Sequence, residues 1–151
     1  AALCPGFIDF AIASLILVAG IIYYGVAVPL SALWTVPLVL AGVAVLSLGL
    51  GMFLGSLNVR YRDVNNGISF LLQMWMFATP VVYPVSLISP QYRLLAGINP
   101  MVGYVEAFRS ALFGHPLHAD LLAISVGISA ITLVAGTKYF VRVEKTFADI
   151  V

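Results

Sequence analysis

The stretch "LNVRYRDVNNG", residues 57–67, sets Arg60, Arg62 and Asp63 around Tyr61. On either side lie residues 10–59 and 64–92, which contain no Asp, Glu, Lys or Arg. A helix crosses a bilayer with about 20 apolar residues. Both uncharged runs are long enough to do so, and the first is too long for a single crossing. The charged stretch therefore reads as a water-facing elbow between two membrane hairpins. The whole chain supports this, being 62% hydrophobic and only 9% charged, where soluble domains carry about 25% charged residues. That balance excludes an ordinary water-soluble domain. A net charge of +1 is too small to suggest nucleic acid as a partner. The single cysteine, Cys4, has no partner for an internal disulfide and no metal-ligand spacing around it.

The first run breaks at "YYGVAVPLSALW", residues 23–34. Gly25, Pro29 and Ser31 supply turn chemistry there, and Tyr23, Tyr24 and Trp34 supply interfacial aromatics. This places transmembrane helices at 7–25 and 36–57. A third follows at 67–84 and a fourth at 119–140, opened by Asp120 and closed by Lys138 and Arg142. The apolar segments are of helix length and do not alternate, which excludes a barrel of short strands. The predicted class is an all-α integral membrane protein.

Basic residues orient such a chain. Two crossings separate Arg60 and Arg62 from Lys138, Arg142 and Lys145, so all five fall on one side, the cytoplasmic one. Arg93 and Arg109 fall on the other. Asn58, Arg60, Tyr61, Arg62 and Asp63 then form a cytoplasmic elbow. It is either a solvated turn with topogenic arginines or a contact surface for a cytoplasmic partner. The C-terminus is cytoplasmic.

Residues 85–118 do not read as a polar loop. Ser89-Pro90 and Gly97 bracket one short helix, 90–97, and Asn99-Pro100 and Gly114 bracket another, 100–113. A capping Ser or Asn, Pro at the first position and Gly beyond the end is the expected helix punctuation. The second helix is roughly 21 Å long, too short for roughly 30 Å of hydrocarbon. Met101, Val105, Phe108 and Leu112 recur at helical spacing, and Glu106 and Arg109 are i,i+3 neighbours able to pair. Two re-entrant or interfacial helices on the outer side are predicted, serving either as a packed lid or as a gate that includes Asn99, Pro100, Glu106 and Arg109.

Gly49, Gly51 and Gly55 are expected to flatten one side of the second span, with a GxxxG at 51–55 read as packing inside the bundle rather than as a dimer face. Pro80 should kink or end the third span. Asp9 reads as either a buried partner or an interfacial residue, the second being favoured. Gln73, the one amide in the third span, reads as a bond between helices. His115 and His118 flank a proline and lack further ligands, so no metal site is expected. There is no phosphate loop, nucleophile elbow or zinc motif, and acidic residues inside the spans are too few for an ion relay. Transport by such a chain would draw energy from another subunit. Tyr23, Tyr24, Trp34, Trp75, Phe77, Tyr83 and Tyr92 gather toward the outer interface as belt residues. All but Tyr92 are also candidates to line a path on which sugar faces stack.

Four stretches, "LGMFLGSLNVRYRDV", "FLLQMWMFATPVVYPVSLI", "INPMVGYVEAFRSALFG" and "VEKTFADIV", together resemble the permease subunit of ABC-type polysaccharide and polyol-phosphate exporters. The resemblance runs from "GFIDFAIASLILV" to the end of the chain. It implies the last four spans of a six-span permease in a bacterial cytoplasmic (inner) membrane, with an amphipathic helix, two spans and a coupling helix expected ahead of them. It also implies a homodimer with two ABC ATPase subunits that hold ATP and Mg, with no cofactor in this chain. Its cargo would be a lipid-linked glycan such as O-antigen, capsule or teichoic acid. By the same resemblance, residues 58–64 match a cytoplasmic turn, residues 99–109 the outer gate and residues 144–151 the cytoplasmic tail. A permease for lipo-oligosaccharides or drugs, and a membrane scaffold that moves nothing, are the competing readings.

Overall fold

The computed structural model describes residues 3–61, 64–81 and 95–148, together with 87, 89 and 92. Among these residues it is all-helical, without strands. The helices are α1 (Leu3–Tyr24), α2 (Ala32–Arg60), α3 (Val64–Ala78), α4 (Pro100–Phe113) and α5 (Ala119–Ala148).

The boundaries follow from backbone chemistry. Gly25 ends α1 in the left-handed conformation, at φ 64°. There Val26 N–H donates to Ile21 O (3.0 Å) and Gly25 N–H to Ile22 O (3.3 Å). This is the Schellman closure, which satisfies carbonyls that the helix leaves open. α2 begins at Ala32, ahead of the expected 36, because turns at 29–35 close on the carbonyls of Pro29, Leu30 and Ser31. Pro37 sits inside the helix. At the other end α2 continues to Arg60, carrying regular helix into the elbow. α3 stops at Ala78 and does not reach 84. Pro80 lacks an N–H and disfavours helical geometry at Thr79 before it. Half of the helix expected at 90–97, Arg93 included, lies outside the described residues.

α2 and α5 pack along much of their length, and α4 lies against both, while α3 touches α2 only lightly. Val39 and Leu46 of α2 meet Tyr104 and Ala107 of α4 in the main core cluster, and Val102 and Leu121 form a second. Glycines set how closely the helices approach. A methyl group on Gly136 would strike the backbone oxygen of Gly49, and one on Gly49 would lie 2.6 Å from the backbone nitrogen of Leu133. Gly103 of α4 sits equally tightly against the Leu121 carbonyl, and Gly42 lies under the ring of Tyr104. The expected side formed by Gly49, Gly51 and Gly55 is not one side. At about 100° per residue, Gly49 and Gly51 lie on nearly opposite faces. Gly51 and Gly55 have no neighbour that an added methyl would meet.

The distribution of polarity is inverted relative to a water-soluble fold. Ser56, Thr79, Glu106, Ser110, Ser125 and Ser129 are buried, while many large aliphatic and aromatic side chains are exposed. The buried hydroxyls of Ser56, Ser125 and Ser129 donate to carbonyls four residues earlier in their own helices. α2 and α5 are the two helices, among the described residues, long and apolar enough to cross a membrane. Only 17% of the most apolar stretch of α2 and 22% of that of α5 is buried. Helices so uncovered are not the core of a soluble domain. The apolar parts of α1 (Ile8–Tyr24) and α3 (Gly67–Ala78) are shorter.

Candidate functional site

Of the residues singled out in the sequence, the structure joins those at the start and middle of α4 to the end of α3. Asn99 caps α4. Its Oδ1 accepts from the Met101 N–H at 3.1 Å, and Pro100 takes the first helical position, where a missing N–H costs nothing. The same Oδ1 accepts from the indole Nε1 of Trp75 at 3.0 Å. Its Nδ2 donates to Thr79 Oγ1 at 2.9 Å and, at 3.5 Å, to the Ala78 carbonyl. Thr79 Oγ1 in turn donates to Trp75 O at 2.9 Å. Trp75 was a candidate path aromatic; its polar end is committed to this network.

Glu106 and Arg109 form the i,i+3 pair that their spacing permits. Arg109 Nη1 meets Glu106 Oε2 at 3.1 Å, with the Glu106 side chain 10% exposed and that of Arg109 22%. Nη2 donates to the Val81 carbonyl at 3.1 Å. The planar guanidinium thus serves a carboxylate on its own helix and a carbonyl just beyond α3. Arg109→Ala leaves a buried carboxylate without its cation. Complete burial makes that loss worth about 3–5 kcal/mol, and the exposure of Arg109 brings the expected loss to about 2 kcal/mol. Adding Glu106→Gln should recover most of it, because the stranded charge is then gone. Thermal melting of the detergent-solubilised protein measures both.

At the elbow, Asn58 is exposed on the last turn of α2. Tyr61 caps the helix, its N–H donating to Leu57 O at 2.8 Å. Arg62 and Asp63, the Arg60 side chain and Tyr83 lie outside the described residues.

The remaining aromatics are not drawn into one cavity. Tyr23 and Tyr24 stack edge to face, with centroids 5.1 Å apart, and both are exposed, as are Trp34 and Phe77. Tyr24 lines a small cavity of about 330 Å³ with Ile16, Ile21 and Phe113. Trp75 lines another, about 590 Å³, between α2 and α3, with Leu50, Phe53, Leu71 and Met101. The larger cavity is almost wholly apolar, Ser47 and Thr79 being its polar residues. It suits hydrocarbon better than sugar hydroxyls, which need polar partners.

One residue of the packing escaped sequence reading. Tyr104 is 2% exposed and fills the space over Gly42, and its hydroxyl lies 2.9 Å from Ser129 Oγ of α5. Its phenol therefore links all three core helices. The small residues at 42 and 129 were the available signal, but nothing local pairs them with position 104. Among the described residues, no three His, Cys, Asp or Glu side chains gather as metal ligands.

The model of the ABC-2 type transporter family matches residues 3–113, a stretch that includes α1 through α4. A Myxococcus xanthus protein named "O-antigen export system permease protein RfbA" is 33% identical over 106 residues, 68% of this chain and 41% of that protein. Two Klebsiella pneumoniae proteins of the same name are 23% and 22% identical over 135 residues, 89% of this chain and 52% of each of them. The chain spans about half the length of the curated relatives it matches, from 41% to 52%. No solved structure matches. With its inverted polarity, its apolar helices α2 and α5 and this match across most of its length, the chain is a membrane protein and belongs to the ABC-2 type transporter family.

Proposed function

We propose that the chain forms part of the permease of an ATP-driven exporter that moves lipid-linked polysaccharide across a bacterial cytoplasmic membrane. The observation that carries this reading is the family match over residues 3–113 together with relatives named as O-antigen export permeases. In this reading the energy comes from a partner ABC subunit, as the family match implies, and that subunit holds the nucleotide and Mg. That partner biases the permease by binding its closed and open states with different free energies.

In this reading α1, α2, α3 and α5 are the four spans, and two copies of the complete protein make the pathway. The elbow at 58–63 faces the ATPase on the cytoplasmic side and relays its movement to α2 and α3. α4 lies on the outer side as the gate, ordered by Asn99, Pro100, Glu106 and Arg109. The lipid anchor travels beside apolar surface such as that around Trp75, and exposed aromatics at positions 23, 24, 34 and 77 border the glycan.

Deleting the complete gene in its own organism tests this. Loss of surface polymer with lipid-linked glycan trapped on the cytoplasmic face is expected. Normal surface glycan and no trapped intermediate would overturn polysaccharide export and favour drug efflux or a scaffold. Failure of an ATPase to co-purify with the complete protein would favour the scaffold alone.

A further inference from the structure

We propose that Asn99 is a positioning residue that joins α3 and α4 into one rigid unit, so that α4 moves only as α3 moves. The inference rests on the permease reading for the expectation that the protein has more than one state. The joint itself rests on geometry.

An α-helix ends in unpaired carbonyls and begins with unpaired N–H groups. A primary amide is a neutral side chain that carries both an acceptor and donors, so it can serve both kinds of end. Asn99 does so at one point. Its oxygen takes the Met101 N–H at the start of α4, and its nitrogen faces the Ala78 carbonyl at the end of α3. The indole of Trp75 and the hydroxyl of Thr79 complete its bonding. Two N–H donors converge on Oδ1, so a flipped amide would set donor against donor, which fixes the orientation. Thr79 is buried, and Trp75 is half-buried. In a membrane, polar groups pulled out of such a cluster have little water to replace their partners. Parting α4 from α3 would strand the Trp75 indole N–H and the Asn99 amide N–H groups together.

One attachment point alone would act as a swivel. Arg109 supplies a second, through Nη2 to Val81 O at 3.1 Å. Asn99 and Arg109 are ten residues apart, or about 15 Å along α4. The stretch of chain from Ala78 to Val81 is therefore held at two points by side chains that start this far apart on α4. Position and direction of α4 relative to the end of α3 are both set.

The test measures a distance inside one chain of the complete protein, assembled with its ATPase. Spin labels go on Phe77→Cys and Phe113→Cys, both at exposed positions on the two helices, with other cysteines replaced. Labelled protein is diluted with unlabelled protein, so that only pairs within one chain contribute. The expected result is a single narrow distance distribution that stays in place between nucleotide-free and ATP-bound states. Asn99→Ser keeps an N-capping hydroxyl but is too short to reach α3, and it should at least double the width. Trp75→Phe with Thr79→Val leaves the cap of α4 intact and should do the same, which separates loss of the joint from loss of the cap. A wild-type distance that shifts with nucleotide would overturn the proposal. So would an unchanged width in both variants. Export of a different cargo would defeat the polysaccharide reading and leave these distances as they are.

Discussion

Gly136→Val should separate α2 from α5 and cause one of the two largest losses of stability among single substitutions in this fold. The backbone oxygen of Gly49 occupies the place where the first carbon of any side chain at 136 would lie. The obstacle is main chain on a neighbouring helix, so no rotamer change relieves it. Overpacking of a well-filled site costs about 1–3 kcal/mol, and a branched side chain against backbone belongs at the top of that range or beyond. In a bilayer, helices associate through close packing of small residues rather than through exclusion of water. Widening this crossing therefore removes the main source of α2–α5 attraction. Loss of folded protein in the membrane, or a sharp fall in melting temperature after mild detergent extraction, is the expected readout. Gly127→Ala is the control on the same helix, since an added methyl there meets nothing. Equal damage from both substitutions would show that the contact with Gly49 is not the cause.

Tyr104→Ala is expected to cost at least as much. The ring is buried against Gly42 and its hydroxyl is partnered by Ser129. Removing a buried aromatic side chain costs about 3–5 kcal/mol through lost packing and the cavity left behind. Tyr104→Phe keeps the ring and loses only the hydroxyl contact, for about 1 kcal/mol. A melting series on the two variants tells the contributions apart. A Phe variant as damaged as the Ala variant would mean that the hydroxyl, not the ring, holds α4 in place.

These two predictions rest on contacts that a linear reading could not pair. The uncharged runs and their charged interruption were legible because span length and desolvation act on composition, residue by residue. The caps of α4 were legible because Asn99, Pro100 and Gly114 act on neighbours a few positions away. The Glu106–Arg109 pair was legible for the same reason. By contrast, Asn99 reaches back to Trp75 and Thr79, and Tyr104 reaches forward to Ser129. Partners so distant are chosen by how the helices cross. The glycines show this best. Gly51–Gly55 has the spacing of a packing motif, yet Gly49 is the residue that meets α5, opposite Gly136. The end of α3 was placed too late because the apolar pattern continues past Pro80, while the backbone chemistry stops before it.

The close crossing at Gly49 and Gly136 also makes α2 a lever. The helix runs from Ala32 to Arg60 without a break, and the tightest point of its contact with α5 is its natural fulcrum. From Gly49 to Arg60 is about 16 Å, and from Gly49 back to Gly42, on which Tyr104 rests, about 10 Å. Tilting α2 about that point moves its two ends in opposite directions. A displacement of about 3 Å at the elbow becomes one of about 2 Å beneath Tyr104. Such a tilt would reach, reversed and reduced, the helix that carries Glu106 and Arg109, and with it α3.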